Sequence, residues 1–431
     1  MDHGSQEDPL PTSLSHFGAK FIMKFEPVAS PGRIVPMEGM RGLAALLVFF
    51  VHFRALFGHY AAGTLLDKPI DILGTLGHTG VDLFFILSGY LIYGIVMDHR
   101  FNFGRFLGRR IRRLYPTFLA VFAVCLVASY MFPTRSKLPQ SPSAAVPFIV
   151  ANLLMLPGML PVRAIITVAW SLSYEWFFYL SLPIVVAGLR VRRWPWRLRA
   201  VAVLLLSAGY VVASQLHLAQ KPRLAMFGAG VLLWELLRNT NIIAALPRKG
   251  EIVAAVLFVL NLLAIGTTHK IHGGSTAIAV QDVPVIYVFS LFVSGFLLAL
   301  YALAYHGFLS RFFSLAALRW VGNMSYSYYL IHGLTIVAIA ALVQRLSSSS
   351  TLGPAVLLLL LGSCLVASLV VSSLLYLYIE RPLSLVPSYR RELAKQTRNL
   401  EHLSTASGKT PQPLTSATAN KPEFSFRRRA S

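Results

Sequence analysis

Arg41 and His52 stand eleven positions apart in the apolar run MEGMRGLAALLVFFVHF, residues 37–53. On a helix, eleven steps of about 100° return to nearly the same face, and the rise separates the two by roughly 16 Å. One stripe therefore carries a guanidinium near its start and an imidazole near mid-depth. An ionisable group at the centre of a membrane helix costs about 3 kcal/mol or more unless it is paired or faces a cavity. His52 is thus a candidate for proton transfer, with a histidine satisfied by a neighbouring helix as the alternative.

Four further segments carry polar chemistry inside or beside apolar runs. Segment 77–90, GHTGVDLFFILSGY, holds Asp82 near one end of its helix, and Gly80, Ser88 and Gly89 are small enough for close helix contact. Segment 109–116, RRIRRLYP, supplies Arg109, Arg110, Arg112 and Arg113. Two arginines three residues apart lie close to one helix face and suit a polyanion such as the nucleotide end of coenzyme A, because guanidinium pairs phosphate bidentately. Orientation of the chain and lipid headgroups explain the same cluster.

Segment 169–179, AWSLSYEWFFY, places Glu175 within an apolar helix with no opposite charge within four residues, so it needs a partner on another helix or a proton. Ser171 and Tyr174 flank it. Segment 320–332, WVGNMSYSYYLIH, brings Ser325, Tyr326 and a second intramembrane histidine, His332, which reads as a packing or positioning group. Beyond these, YIERP at 378–382 suggests an interfacial Glu380–Arg381 pair with Pro382 ending the helix. His52 rising from one side and Glu175 and Asp82 descending from the other are expected to meet in one polar centre. A proton or ion relay of a carrier or flippase would use the same groups.

These groups must be held by a membrane scaffold. Of 431 residues 55% are hydrophobic and only 13% charged, which describes an all-α polytopic bundle and not a soluble core. Thirty-nine basic against seventeen acidic side chains give +22. In a soluble chain that would suggest nucleic acid; here the bases cluster in short segments between apolar runs, the positive-inside pattern, and no nucleic-acid partner is expected. Cys125 and Cys364 lie within apolar runs without metal-like spacing, so both are expected in the core and neither a disulfide framework nor a metal site is indicated.

Apolar segments long enough to span run over 42–59, 79–97, 114–132, 169–189, 200–217, 223–237, 251–268, 283–304, 321–343 and 353–379, which makes ten. An eleventh, 144–160, is broken by Pro147, Pro157 and Gly158. Charge decides its status: 98–113 carries six arginines and 190–199 five, and both stay cytoplasmic only if 144–160 does not cross. Both termini are then cytoplasmic, and 133–168 is one external region. Residues 1–36 lack the apolar stretch of a signal peptide and read as a disordered tail, as does the basic, Ser/Thr/Pro-rich stretch 383–431. Residues 37–382 form the transmembrane domain.

Together these segments resemble the membrane-bound acyltransferase 3 family, O-acyltransferases of sugars and envelope glycans. The resemblance covers about 37–382 and rests on the arginine, ten residues, histidine spacing of Arg41 and His52, on GVDLFFILSGYLI, on the RxxR of Arg110 and Arg113 (also of Arg109 and Arg112), and on SLSYEWFFYL, GNMSYSYYLIH and YIERP in that order. Some members carry a fused extracytoplasmic esterase-like domain; the chain has no segment for one and is expected to act alone.

The resemblance implies an enzyme of the bacterial inner membrane that moves an acyl group, expected to be acetyl, from cytoplasmic acyl-CoA to a hydroxyl of a carbohydrate or lipid-linked glycan outside. Arg41 and the four clustered arginines would hold the donor. His52 would act as general base, with Glu175 or Asp82 orienting its ring, and Ser171, Tyr174, Ser325, Tyr326 and His332 in support.

Overall fold

The computed structural model describes residues 34–133, 136–216, 222–268, 285–347 and 351–385. The tails expected over 1–36 and 383–431 lie outside these residues except at their inner edges, where the first helix begins at Val35 and the last runs to Leu385.

Every regular element among the described residues is helical. The chain opens with α1 (Val35–Phe57), α2 (Asp67–Gly77), α3 (Thr79–Val96), α4 (Phe103–Met131) and α5 (Pro142–Leu153). It continues with α6 (Ala169–Gly188), α7 (Trp196–Gln215), α8 (Ala225–Leu237), α9 (Thr240–Ala245) and α10 (Gly250–Thr268). Then come α11 (Val285–Ala304), α12 (Phe308–Phe313), α13 (Ala316–Asn323), α14 (Ser325–Leu346) and α15 (Pro354–Leu375), which runs on into a π-helical turn, Tyr376–Leu385. Local chemistry sets several starts. The Asn102 side chain caps α4 by accepting from Arg105 N at 2.9 Å, and Pro142 and Pro354 occupy first turns, where a missing N–H costs nothing.

Among the described residues, seven helical stretches are long and apolar enough to cross a membrane: Val35–Ala61, Asp67–Val96, Phe103–Met131, Trp196–Ser214, Ile286–Ala304, Ser325–Leu346 and Pro354–Leu385. The other three expected spans fall on helices as well, but α6 is diluted by polar and aromatic residues, and α8 and the apolar part of α10 are shorter. Segment 144–160 holds only the 12-residue α5, about 18 Å of helix against the roughly 30 Å of a hydrocarbon core. Large apolar side chains such as Leu205, Leu206, Leu358 and Leu359 point outward from α7 and α15, a surface that suits lipid and not water. The chain is a multi-pass membrane protein.

Helix α1 lies at the centre, packed on α2, α3, α13 and α14. Its crossing with α13 is backbone on backbone: a Cβ on Gly42 would collide with the Leu318 carbonyl, and one on Gly322 with that of Glu38. Between α3 and α8, Gly89 and Gly230 allow the same approach, against Phe227 and Ile86 respectively. Cys125 and Cys364 are both buried thiols, as expected.

Candidate active site

Arg41 and His52 both sit on α1, but they serve different spaces. Arg41 lines a cavity of about 160 Å3 together with Arg110 and Arg113 of α4, Ser88 of α3, Ser171, Glu175 and Tyr179 of α6, and Ser325, Tyr326 and Tyr329 of α14. Five segments picked out in the sequence therefore converge on one polar space. Its walls are otherwise apolar, from Phe84, Phe85, Leu91 and Leu114 among others, so charges inside it act through a low dielectric.

The two arginines of α4 are held differently. Arg110 lies over the rings of Phe106 and Tyr179, at 5.5 and 5.1 Å from their centroids. Arg113 Nη1 pairs with Glu380 Oε1 at 3.0 Å, while Glu380 Oε2 accepts from Ser327 N at 3.1 Å and Ser327 Oγ at 2.6 Å. Arg109 and Arg112 lie outside the cavity, and Arg112 Nε donates to the Gly108 carbonyl at 3.1 Å. Of the two RxxR registers, only 110/113 borders the cavity.

The expected Glu380–Arg381 pair does not form. Glu380 is fully buried and turns inward to Arg113, because neighbours in sequence do not face each other on a helix. Pro382 does not end the helix either; it sits within the π-helical turn.

The expected single polar centre is replaced by three separate ones. Glu175 Oε1 accepts from Ser88 Oγ at 2.6 Å and from Tyr179 OH at 2.5 Å, inside the arginine cavity and not beside His52. Ser88 thus serves as a hydrogen-bond donor and not only as a small packing residue. Asp82, 1% exposed, pairs with Arg223, which also donates to the His78 carbonyl at 3.2 Å. The third centre is the histidine pair. The His52 and His332 rings lie 5.0 Å apart, nearly edge to face, and among the described residues no carboxylate pairs with His52. His332 Nδ1 lies 2.8 Å from the Tyr328 carbonyl, which can only accept, so Nδ1 carries the proton and Nε2 of the neutral ring keeps its lone pair.

The supporting residues divide in the same way. Ser325 and Tyr326 border the cavity, and Tyr326 OH donates to the Leu114 carbonyl at 2.9 Å. Tyr174 instead bonds the Gly158 carbonyl, as Ser173 bonds that of Pro157, so these two pin the turn after α5. Ser171 Oγ and Tyr329 OH share a hydrogen bond of 2.6 Å at one end of the cavity. Their neighbours Val168 and Leu330 line, with Gly333, a second cavity of about 690 Å3, and Gly333 abuts the His52 ring.

A family profile described as an acyltransferase domain matches residues 35–377. The chain belongs to the acyltransferase 3 family. It is 31% identical over 191 residues to the acyltransferase MdmB of Streptomyces mycarofaciens, covering 42% of this chain and 47% of that protein. It is 26% identical to the candidate peptidoglycan O-acetyltransferase YrhL of Bacillus subtilis, over 81% of this chain and 55% of YrhL. The O-acetyltransferase OatA of Staphylococcus aureus is 25% identical over 73% of this chain and 52% of its own length. The chain thus spans about half the length of the curated relatives it matches. No solved structure matches.

Three partners in these polar centres are not singled out from the sequence. Tyr179 carries a signal, since it follows Glu175 by four positions and shares its helix face. Tyr329 and Arg223 carry none, because their partners lie 158 and 141 positions away.

Proposed function

We propose that the chain is an O-acyltransferase that takes an acyl group from cytoplasmic acyl-CoA and transfers it to a hydroxyl of a sugar or glycan on the outer side of a bacterial inner membrane. The observation that carries this reading is the convergence of Arg41, Arg110 and Arg113 on one cavity, with the His52–His332 pair on two of the helices that line it, α1 and α14. Clustered arginines and a histidine pair held by the same helices suit a donor that is charged at one end and reactive at the other. Ten spans with both termini cytoplasmic would put the arginines on the donor side.

A hydroxyl is a weak nucleophile at neutral pH, and neutral imidazole is a base of suitable strength. His52 takes the hydroxyl proton as oxygen attacks the thioester carbonyl. The C–S bond breaks, and the imidazolium returns its proton to the departing thiolate, leaving an ester and free coenzyme A. His332, fixed by the Tyr328 carbonyl, holds the His52 ring in place. Glu175 belongs to the donor end, where it balances part of the arginine charge.

The test is transfer from labelled acetyl-CoA by membranes containing the protein, with His52→Ala as the control. Acetylated product that depends on His52 supports the reading. Substrate transport without acyl transfer would replace it with a carrier.

A further inference from the structure

The larger cavity lies between the second half of α4 and the length of α14 from Leu330 to Arg345, and is lined also by residues 165–168. Cys125, Phe132, Leu334 and Ala338 give it apolar walls; among the described residues Lys137 and Arg345 are its cations and no acidic residue lines it. Among the described residues the Lys137 ammonium bonds only neutral acceptors: the carbonyls of Ala164 at 3.0 Å and Ile165 at 3.4 Å, and Thr167 Oγ1 at 2.8 Å. Desolvation lowers its pKa, and Arg163 adds repulsion. Gly333, which lines this space, also lies against the His52 ring.

An apolar trough with two cations that have no carboxylate partner among the described residues selects an amphiphile with an anionic head. A soluble sugar would leave the walls dry, and a neutral lipid would leave the cations unanswered. We infer that this groove binds the acceptor as a lipid-linked glycan, with the lipid chain between α4 and α14, its phosphate at Lys137 and Arg345, and the sugar hydroxyl toward His52. The inference rests on the transferase reading for the word acceptor, but the binding itself does not.

The experiment is native mass spectrometry of the full-length protein with farnesyl phosphoryl glucose, farnesyl glucoside and phosphatidylglycerol. The phosphate-bearing glycolipid should bind about tenfold more tightly than the glucoside, the margin of a charge-assisted contact. Arg345→Gln should remove most of that margin while leaving the fold intact, since the side chain lies at the cavity rim near the end of α14. Ala338→Trp should abolish binding of both glycolipids. Equal binding of the two glycolipids, binding retained in Ala338→Trp, or equally tight phosphatidylglycerol would each overturn the inference. If the groove binds as stated while no acetyl transfer is detected, the transferase reading fails alone. If transfer to soluble sugar proceeds without glycolipid binding, the groove fails alone.

Discussion

Arg113 is tied to Glu380 at 3.0 Å, and this pair joins α4 to the end of the chain's last described helix. The carboxylate is wholly buried and also takes two bonds from Ser327, so its removal would leave the Arg113 charge and two donors of Ser327 unanswered. Breaking a buried pair costs about 3 kcal/mol or more. Glu380→Ala is therefore expected to lower the thermal stability of the solubilised protein clearly, and Arg381→Ala to leave it nearly unchanged. Equal losses would return Glu380 to an interfacial role.

Arg110 and Arg113 border the cavity, whereas Arg109 and Arg112 do not. Loss of one phosphate contact costs about 1.5 kcal/mol or more, roughly tenfold in affinity. Arg110→Ala is expected to raise the apparent KM for acyl-CoA by about that factor, and Arg109→Ala or Arg112→Ala to change it little. Equal effects across all four would assign the cluster to orientation in the membrane.

The helical architecture and the segments forming the site were legible because apolar runs and isolated polar residues are local signals. Pairing was not. Asp82 and Glu175 both read as partners for His52, yet each pairs elsewhere, with Arg223 and with Ser88 and Tyr179. Depth along a helix can be counted from sequence, but rotation of one helix against another is set by contacts such as Gly42 on Leu318, which no local pattern announces.

Ser171 and Tyr329, both lining the arginine cavity, tie α6 to α14 with one hydrogen bond. Such a bond contributes about 1 kcal/mol. Tyr329→Phe is expected to raise hydrolysis of acyl-CoA by water relative to transfer by several-fold, because the α6–α14 contact in the cavity wall is loosened and water enters more easily. The ratio of free acetate to acetylated acceptor measures this, and an unchanged ratio would make the contact a packing feature only.

His52 and His332 offer the sharpest separation of roles. Loss of a general base costs about a hundred- to ten-thousand-fold in rate. His52→Gln is therefore expected to insert normally and lose acyl transfer by such a factor, with donor KM little changed because the arginines lie elsewhere. His332→Gln should retain a measurable fraction, since it removes the ring that braces His52 and not the base itself. Glu175→Gln should act on donor KM, as its place among the arginines requires. Turnover must be normalised to monodisperse protein so that misfolding is not counted as lost chemistry. Near-normal turnover in His52→Gln would take the residue out of catalysis and leave its contact with His332 as helix packing.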